Sequence, residues 1–346
     1  MKILYAIQAT GNGHLTRAMD IVPALKKYGE TDVLLSGIQA DLPLPFEVKY
    51  RLKGLSFIFG KTGGINVWQT YLRMNSLRLL KEIRSLNVEQ YDMVISDFEP
   101  VSSWACLMAK RTCIGLSNQI ATLHPLAPKP KSNDLLGKMV LDHYAPTTVN
   151  YGFHYKRLDK NIFTPVIRKE IREQQVSNEG HFTVYLPSYD DDRISKHLTR
   201  FKKCEWQVFS KHCKKKHREK NVRVWPLEHE RFVKSLASCE GILCNAGFGT
   251  TSEALFLNKK MLVIPMKMQY EQHCNAAMLK SMGVKVIKSL KKKHYEKIND
   301  WIDRKSMIEV NYPDHVQEII ATIMENHHTE KAVPYVSRHT EYRLFR

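Results

Sequence analysis

Two successive series of short apolar runs, each run set apart from the next by a helix-length segment, constrain this 346-residue chain more than any other feature. The first series is KILYAIQ, TDVLLSG, DMVISD and TCIGLSN; the second is HFTVYLP, EWQVFS, VRVWPL, GILCNAG and KMLVIPM. Strands apolar along their whole length need cover on both faces, and intervening helices supply it, so each series predicts a parallel sheet. The predicted helices include Thr16 to Lys27, a stretch from about Trp68 to Leu86, VSSWACLMAK started by Pro100, Phe232 to Ala237, and Glu271 to Met282.

The chain is longer than one hydrophobic core usually supports, and its 43% hydrophobic content is enough for two. The expected fold class is therefore α/β, with two Rossmann-like doubly wound parallel-sheet domains facing a central cleft. Residues 1–160 form the first domain, 161–180 a linker, and 181–320 the second, because 156–180 is rich in charge and poor in apolar periodicity. Ligands of open parallel sheets sit outside the carboxyl ends of the strands, so two facing sheets make one cleft.

No window approaches eighteen apolar residues, and the opening MKILYAIQATGNGH is too short in its apolar part for a secretion signal, which gives a cytoplasmic expectation. Seven scattered cysteines, never in C-x-x-C spacing, argue against a zinc site and a disulfide framework. The net charge of +18 is concentrated in Lys214, Lys215, Lys216, Arg218 and Lys220 and in Lys291, Lys292, Lys293 and Lys297. A solvated face, an anionic membrane surface and nucleic acid all fit such clusters; nucleic acid fits least, since the runs lack interleaved aromatics.

Two glycine-rich turns follow strands. In NAGFGTTSEAL, after GILC, Gly247 and Gly249 are expected to turn the chain tightly so that the amides of Thr250 to Ser252 point outward and attract phosphate. Thr250 and Glu253 also have capping-box spacing, which is a purely structural alternative. In GNGHLTRA, after KILYAIQ, Gly11 and Gly13 allow a turn around Asn12, but a dinucleotide fingerprint would need a third glycine where Thr16 stands and an acid where Ser36 and Gly37 stand. His14 at the start of that helix suits removal of a proton from a hydroxyl, with Asp97 at the end of DMVISD as its orienting carboxylate and Glu99 as the competing base. Asn118, Gln119 and His124, after TCIGLSN, point to the same cleft from the first domain. Asp190, Asp191 and Asp192 read as acids favourably placed before a helix, and no metal site is assigned.

Glu271, Gln272 and Asn275, in the first turn of the helix after KMLVIPM, can grip several hydroxyls at once. A glycine-rich turn with Ser/Thr-x-Glu-Ala, followed by P-x(5)-E-Q-x-x-N-A-x-x-L-x-x-x-G, resembles the nucleotide-sugar site of GT-B glycosyltransferases. It is most similar to the branch of the GlcNAc transferase that makes lipid II and to bacterial and archaeal relatives opening with G-x-G-H. The resemblance covers about residues 1–320, with its specific motifs in 11–17 and 244–284.

That resemblance implies a GT-B fold whose tail, about 320–346, packs back on the first domain. It also implies that Gly247, Gly249, Thr250 and Thr251 take the diphosphate, Glu253 the ribose, and Glu271 and Gln272 the sugar, with Ser188 near the phosphates and Pro226 and Leu227 near the base. The implied activity moves a sugar from a nucleoside diphosphate donor, UDP-linked, to an acceptor hydroxyl, with inversion and without metal or other cofactor. Retaining relatives carry Glu-x(7)-Glu, whose first position here is Asn245. A lipid-linked acceptor at an anionic inner membrane face would suit the charge, with GKTGGIN and Leu55, Phe57, Ile58 and Phe59 supplying apolar contact. The alternatives are a non-hydrolysing UDP-sugar epimerase, which would open with Gly-Thr-Arg-Pro, and a non-catalytic RNA- or anion-binding protein supported by charge alone.

Overall fold

The computed structural model describes residues 1–37, 43–55, 76–131 and 134–327. GKTGGIN, the run SFIF before it, the first part of the helix expected from Trp68, and the tail beyond His327 lie outside the described residues.

The first lobe comprises β1 (Lys2–Gln8), α1 (Asn12–Leu25), β2 (Glu30–Ser36), β3 (Tyr50–Leu52), α2 (Ser76–Ser85), β4 (Met93–Asp97), α3 (Pro100–Met108), β5 (Ile114–Ser117), α4 (Asn118–Leu123), α5 (Leu135–His143), β6 (Val149–Phe153) and β7 (Ile162–Phe163). After α6 (Lys169–Arg172) come β8 (His181–Tyr185), α7 (Asp191–Leu198), β9 (Glu205–Ser210), β10 (His217–Glu219), β11 (Val222–Pro226), α8 (His229–Ser238) and β12 (Gly241–Asn245). The second lobe continues with α9 (Phe248–Phe256), β13 (Lys260–Ile264), α10 (Tyr270–Ser281), β14 (Lys285–Val286) and α11 (Tyr295–Ile302), and α12 (Val316–His327) follows it.

The first sheet runs β3-β2-β1-β4-β5-β6-β7 with every pairing parallel. The second runs β10-β11-β9-β8-β12-β13-β14, parallel except for β10 against β11. In both, the strand order reverses direction next to the first strand of the series, between β1 and β4 and between β8 and β12. Those reversals are where open α/β sheets leave a crevice at the carboxyl ends.

The central strands are buried throughout, as their sequences require: Ile3 to Ile7 in β1 and Ile242 to Cys244 in β12 are fully enclosed. α1 turns Leu15, Ala18, Ile21, Val22 and Leu25 inward at three- and four-residue spacing. It begins at Asn12, a turn earlier than the expected Thr16, because Gly11 is the extended N-cap and Gly13 already lies inside the helix. β7 pairs with β6 and so adds to the first sheet a strand that lies within the stretch read as linker.

The chain then returns. α12 rests against α1 and buries Ile319, Ile320 and Ile323 there, while Lys27 Nζ donates to Gln317 Oε1 at 3.1 Å and Asn326 Nδ2 to the Tyr151 hydroxyl at 3.1 Å. On the way back it is fastened to the outgoing connector: Arg172 donates to the carbonyls of Tyr312 (2.9 Å) and Pro313 (2.8 Å).

The first basic cluster lies at β10, an exposed edge strand, with Lys216 and Arg231 each 4.1 Å from the ring centroid of Trp225. Lysines beside an edge strand discourage pairing with another sheet, which gives this cluster a structural use of its own. Lys291, Lys292, Lys293 and Lys297 are exposed before and within α11. Among the described residues no helix is long and apolar enough to cross a membrane.

Candidate active site

The two crevices meet in one cleft of about 860 Å³, lined from the first lobe by the turn after β1, the start of α4 and one face of α5, and from the second by the turns after β8, β12 and β13. That volume is in the range of sites that enclose a nucleotide-sized ligand.

The first-lobe wall is built on Asp97, which ends β4 and is fully buried. Its carboxylate accepts from Arg17 Nη2 (2.6 Å to Oδ1, 2.8 Å to Oδ2), Arg17 Nε (3.1 Å), His14 Nδ1 (2.8 Å) and the Tyr5 hydroxyl (3.3 Å). Burial alone would raise this carboxyl, but the charge of Arg17, then that of His14 and the bonds from both, hold it below the ordinary carboxylate range. Asp97 is therefore an ionised acceptor whether or not His14 is charged; in the neutral imidazole the Nδ1 proton goes to Asp97 and Nε2 keeps a lone pair toward the cleft. Arg17 follows His14 by three residues, so one helical face presents both. Arg17 is missing from the residues picked out by sequence, although its i, i+3 spacing from His14 is a readable signal.

Glu99 does not join this group. It is the N-cap of α3, accepting from the amides of Val101 (2.7 Å) and Ser102 (2.6 Å) and from Ser36 Oγ (2.5 Å), and it is fully buried away from the cleft lining. Burial pushes its carboxyl up. A carboxylate so occupied is a helix cap, and the competing-base reading is corrected accordingly.

In the second lobe α9 starts at Phe248, capped only by Gly247, whose position makes no side-chain cap bond. The outward amides are thus those of Gly247 to Thr250; the amide of Thr251 already bonds back to Gly247 O at 3.2 Å. Thr251 itself is fully buried, its hydroxyl tied to Gly247 O (2.7 Å) and to the Tyr155 hydroxyl of the first lobe (2.7 Å). None of Gly11, Gly13, Gly247 and Gly249 sits in the left-handed region, and a Cβ on any of them would meet nothing within 4 Å among the described residues. The tight-turn explanation is therefore replaced: missing side chains leave both helix N-termini open to the cleft.

Glu253 is held bidentately by Arg168, with Nε to Oε1 at 2.6 Å and Nη2 to Oε2 at 2.9 Å, so the capping box with Thr250 is not formed. Arg168 comes from the connector, 85 positions away, and nothing in sequence announces it. Ser188 lines the cleft and donates to Asn245 Oδ1 at 3.1 Å. Glu271 reaches across to the first lobe, accepting from Asn118 Nδ2 at 2.9 Å and Gln119 Nε2 at 3.0 Å. Gln272 closes its own loop by accepting from the Met266 amide at 3.0 Å.

The cleft thus gathers Gly11, Asn12, Gly13, His14, Asn118, Gln119, Ser188, Gly247, Gly249, Thr250, Glu253, Glu271 and Gln272, with Asp97 behind His14. Asn275, Pro226, Leu227 and His124 are outside its lining. Asn275 ties α10 to Ala246 O (3.0 Å), and His124 pairs with Asp159 (2.9 Å). Two cleft residues absent from the sequence reading, Phe98 (φ 57°) and Met268 (φ 58°), hold the left-handed backbone that bulky side chains rarely adopt, a strain typical of binding sites.

Three solved structures share this architecture. S. aureus MnaA, in a co-structure with UDP, superposes with a TM-score of 0.60 at 12% identity over 97% of this chain and 100% of its own. UGT89C1 of Arabidopsis thaliana, complexed with UDP, gives 0.57 at 10% identity over 94% of each chain. The glycosyltransferase SnogD of Streptomyces nogalater gives 0.53 at 12% identity over 100% of this chain and 99% of its own. No curated protein matches by sequence. The two parallel-sheet lobes are a GT-B fold, and with residues 1–305 matching the family model described as Glycosyl transferase family 1, the chain belongs to that family.

Proposed function

We propose that this protein transfers a sugar from a nucleoside diphosphate donor, UDP-linked, to an acceptor hydroxyl, with inversion and without a metal ion. One observation carries the reading: an imidazole oriented by an ionised carboxylate faces, across a single cleft, the uncapped N-terminus of α9. The acceptor oxygen attacks the anomeric carbon as His14 Nε2 takes its proton; the bond from that carbon to the diphosphate breaks, and the departing charge falls on the amides of Gly247 to Thr250. Inversion is supported by Asn245, an amide occupied with Ser188 and Ile264 O where a retaining relative has glutamate.

Glu271 with Gln272 would take the sugar, and Glu253 the ribose. The likeness to the lipid II branch, and an apolar wall of Phe98, Val140, Leu141 and Tyr270 beside His14, support an acceptor with an apolar part, met at an anionic membrane face. UDP, UDP-glucose and UDP-N-acetylglucosamine, tested by calorimetry with EDTA present, are expected to bind. Failure of all three, or restoration of binding only by magnesium or manganese, would sink the corresponding part of the proposal.

A further inference from the structure

The carboxamide of Gln119 touches both halves of the site. Its Nε2 lies 3.0 Å from Glu271 Oε2 and 3.4 Å from His14 Nε2, and the residue is only 3% exposed. An amide's oxygen and nitrogen are assigned by their partners, and here the partner decides: a carboxylate only accepts, so the atom facing Glu271 is N–H. The same nitrogen then offers its second proton to His14, which requires His14 Nε2 to carry none. Asp97, on the far side of the ring, agrees with that tautomer by accepting from Nδ1; Arg17 Nη2 stands 3.0 Å from the same nitrogen but has both Asp97 oxygens to donate to. The remaining atom of the carboxamide, Oε1, is buried without a hydrogen-bond partner among the described residues, although Gln119 lines the cleft. A buried acceptor left over on the wall of a cleft, as Asn12 Oδ1 and Gln269 Oε1 also are among the described residues, points to a ligand that donates hydroxyl protons.

We propose that Gln119 is a positioning residue that couples the base to donor seating, by holding the His14 lone pair and the Glu271 carboxylate on one nitrogen. The inference rests on the glycosyl-transfer reading. With Gln119 N–H on Nε2, the base is covered and water is poorly placed to be deprotonated next to a bound donor. An acceptor hydroxyl uncovers it by exchange: its O–H donates to Nε2, and the Gln119 N–H turns to the acceptor oxygen. The proton passes from that oxygen to Nε2 as the bond to the anomeric carbon forms and the diphosphate leaves with the electron pair. Gln119 Oε1 meanwhile accepts from a sugar hydroxyl beside Glu271.

The full chain labelled with ¹⁵N-histidine tests the geometry without any substrate. Neutral His14 is expected to show protonated Nδ1 and bare Nε2, and Gln119→Ala should move the Nε2 resonance to higher frequency by removing its donor, while Asn118→Ala leaves it in place. An unmoved Nε2 resonance in Gln119→Ala overturns the proposal. UDP release from UDP-N-acetylglucosamine without acceptor reads the function: Gln119→Ala should raise it roughly three- to tenfold, the worth of one neutral hydrogen bond, at unchanged UDP affinity. Release and affinity falling together would make Gln119 merely structural and also overturn it. A protein that binds no UDP-sugar yet shows the Nε2 displacement refutes the glycosyl-transfer reading and, with it, the coupling, while leaving the bridge itself established.

Discussion

Asp97 of the first lobe and Glu271 of the second are joined by two parallel hydrogen-bonded arms, one through His14 and Gln119 and the other through Arg17 and Asn118. The ring contains an acid at each end, one cation, one imidazole and two carboxamides. Its members come from β4, α1, α4 and α10, so the chemistry is fixed by four separate elements.

His14→Ala is expected to lower turnover by about a hundredfold or more at unchanged UDP affinity, because its work is on the acceptor proton. Asp97→Asn should lower turnover as well and destabilise the fold besides, since Arg17 then stays buried without its counter-charge. Single-turnover rates beside UDP calorimetry separate the two effects; a His14→Ala protein with normal turnover removes the imidazole from the mechanism.

Gly247→Val should leave the melting temperature within a degree or two of wild type, because the position has φ −71° and open space around a Cβ. UDP affinity should fall at least about tenfold, the effect of losing roughly 1.4 kcal/mol, as the new side chain stands over the amides that would hold phosphate. Equal affinity in both proteins would place the phosphates elsewhere.

Glu253→Ala removes the bidentate partner of a guanidinium that is 8% exposed, leaving it Glu170 at 3.4 Å, and is expected to cost up to about 3 kcal/mol of stability in addition to nucleotide affinity. Arg168→Met combined with Glu253→Leu should regain most of that stability in urea unfolding and none of the affinity. Recovery of both would mean that the carboxylate has no part in binding.

Asp20, on α1, has its carboxyl pushed from 3.8 up to about 6, first by burial and then by Asp314, against the Lys169 amide and the charges of Arg168 and Arg172. A carboxyl raised in the folded state is protonated in both states below its unfolded pKa and costs nothing there. The cost grows between about pH 4 and pH 6 and is complete above. Asp20→Asn should therefore stabilise the protein by about 1–2 kcal/mol at pH 7.5 and by little at pH 4. Urea titrations at the two pH values decide; an equal effect at both would assign the gain to something other than ionisation.

The two lobes were readable because strands buried on both faces are apolar along their length, and β1, β8, β9 and β11 to β13 fall on their runs nearly to the residue, whereas the exposed, charged β10 has no run to mark it. The start of α1 was not, since glycine counts against a helix and Gly13 nevertheless lies inside one. Glu99 followed by Pro100 is a readable helix start, acid cap then proline in the first turn, and its cap role was legible beside the catalytic one. Arg168 with Glu253, and Glu271 with Gln119, are contacts between distant segments, which periodicity and local spacing cannot supply. The left-handed backbones of Phe98 and Met268 carry no glycine to mark them.

The return of α12 to α1 has a consequence for how the chain is made. Ile319, Ile320 and Ile323 close over a lobe whose first strand emerges from the ribosome long before they do. The amino-terminal half must wait, with the apolar flank of α1 uncovered, until the carboxyl-terminal half has been translated and has folded around its own sheet. Completion of the earlier-made lobe is thereby a late event, and a chain cut short before Val316 is left with an exposed seam on its oldest part.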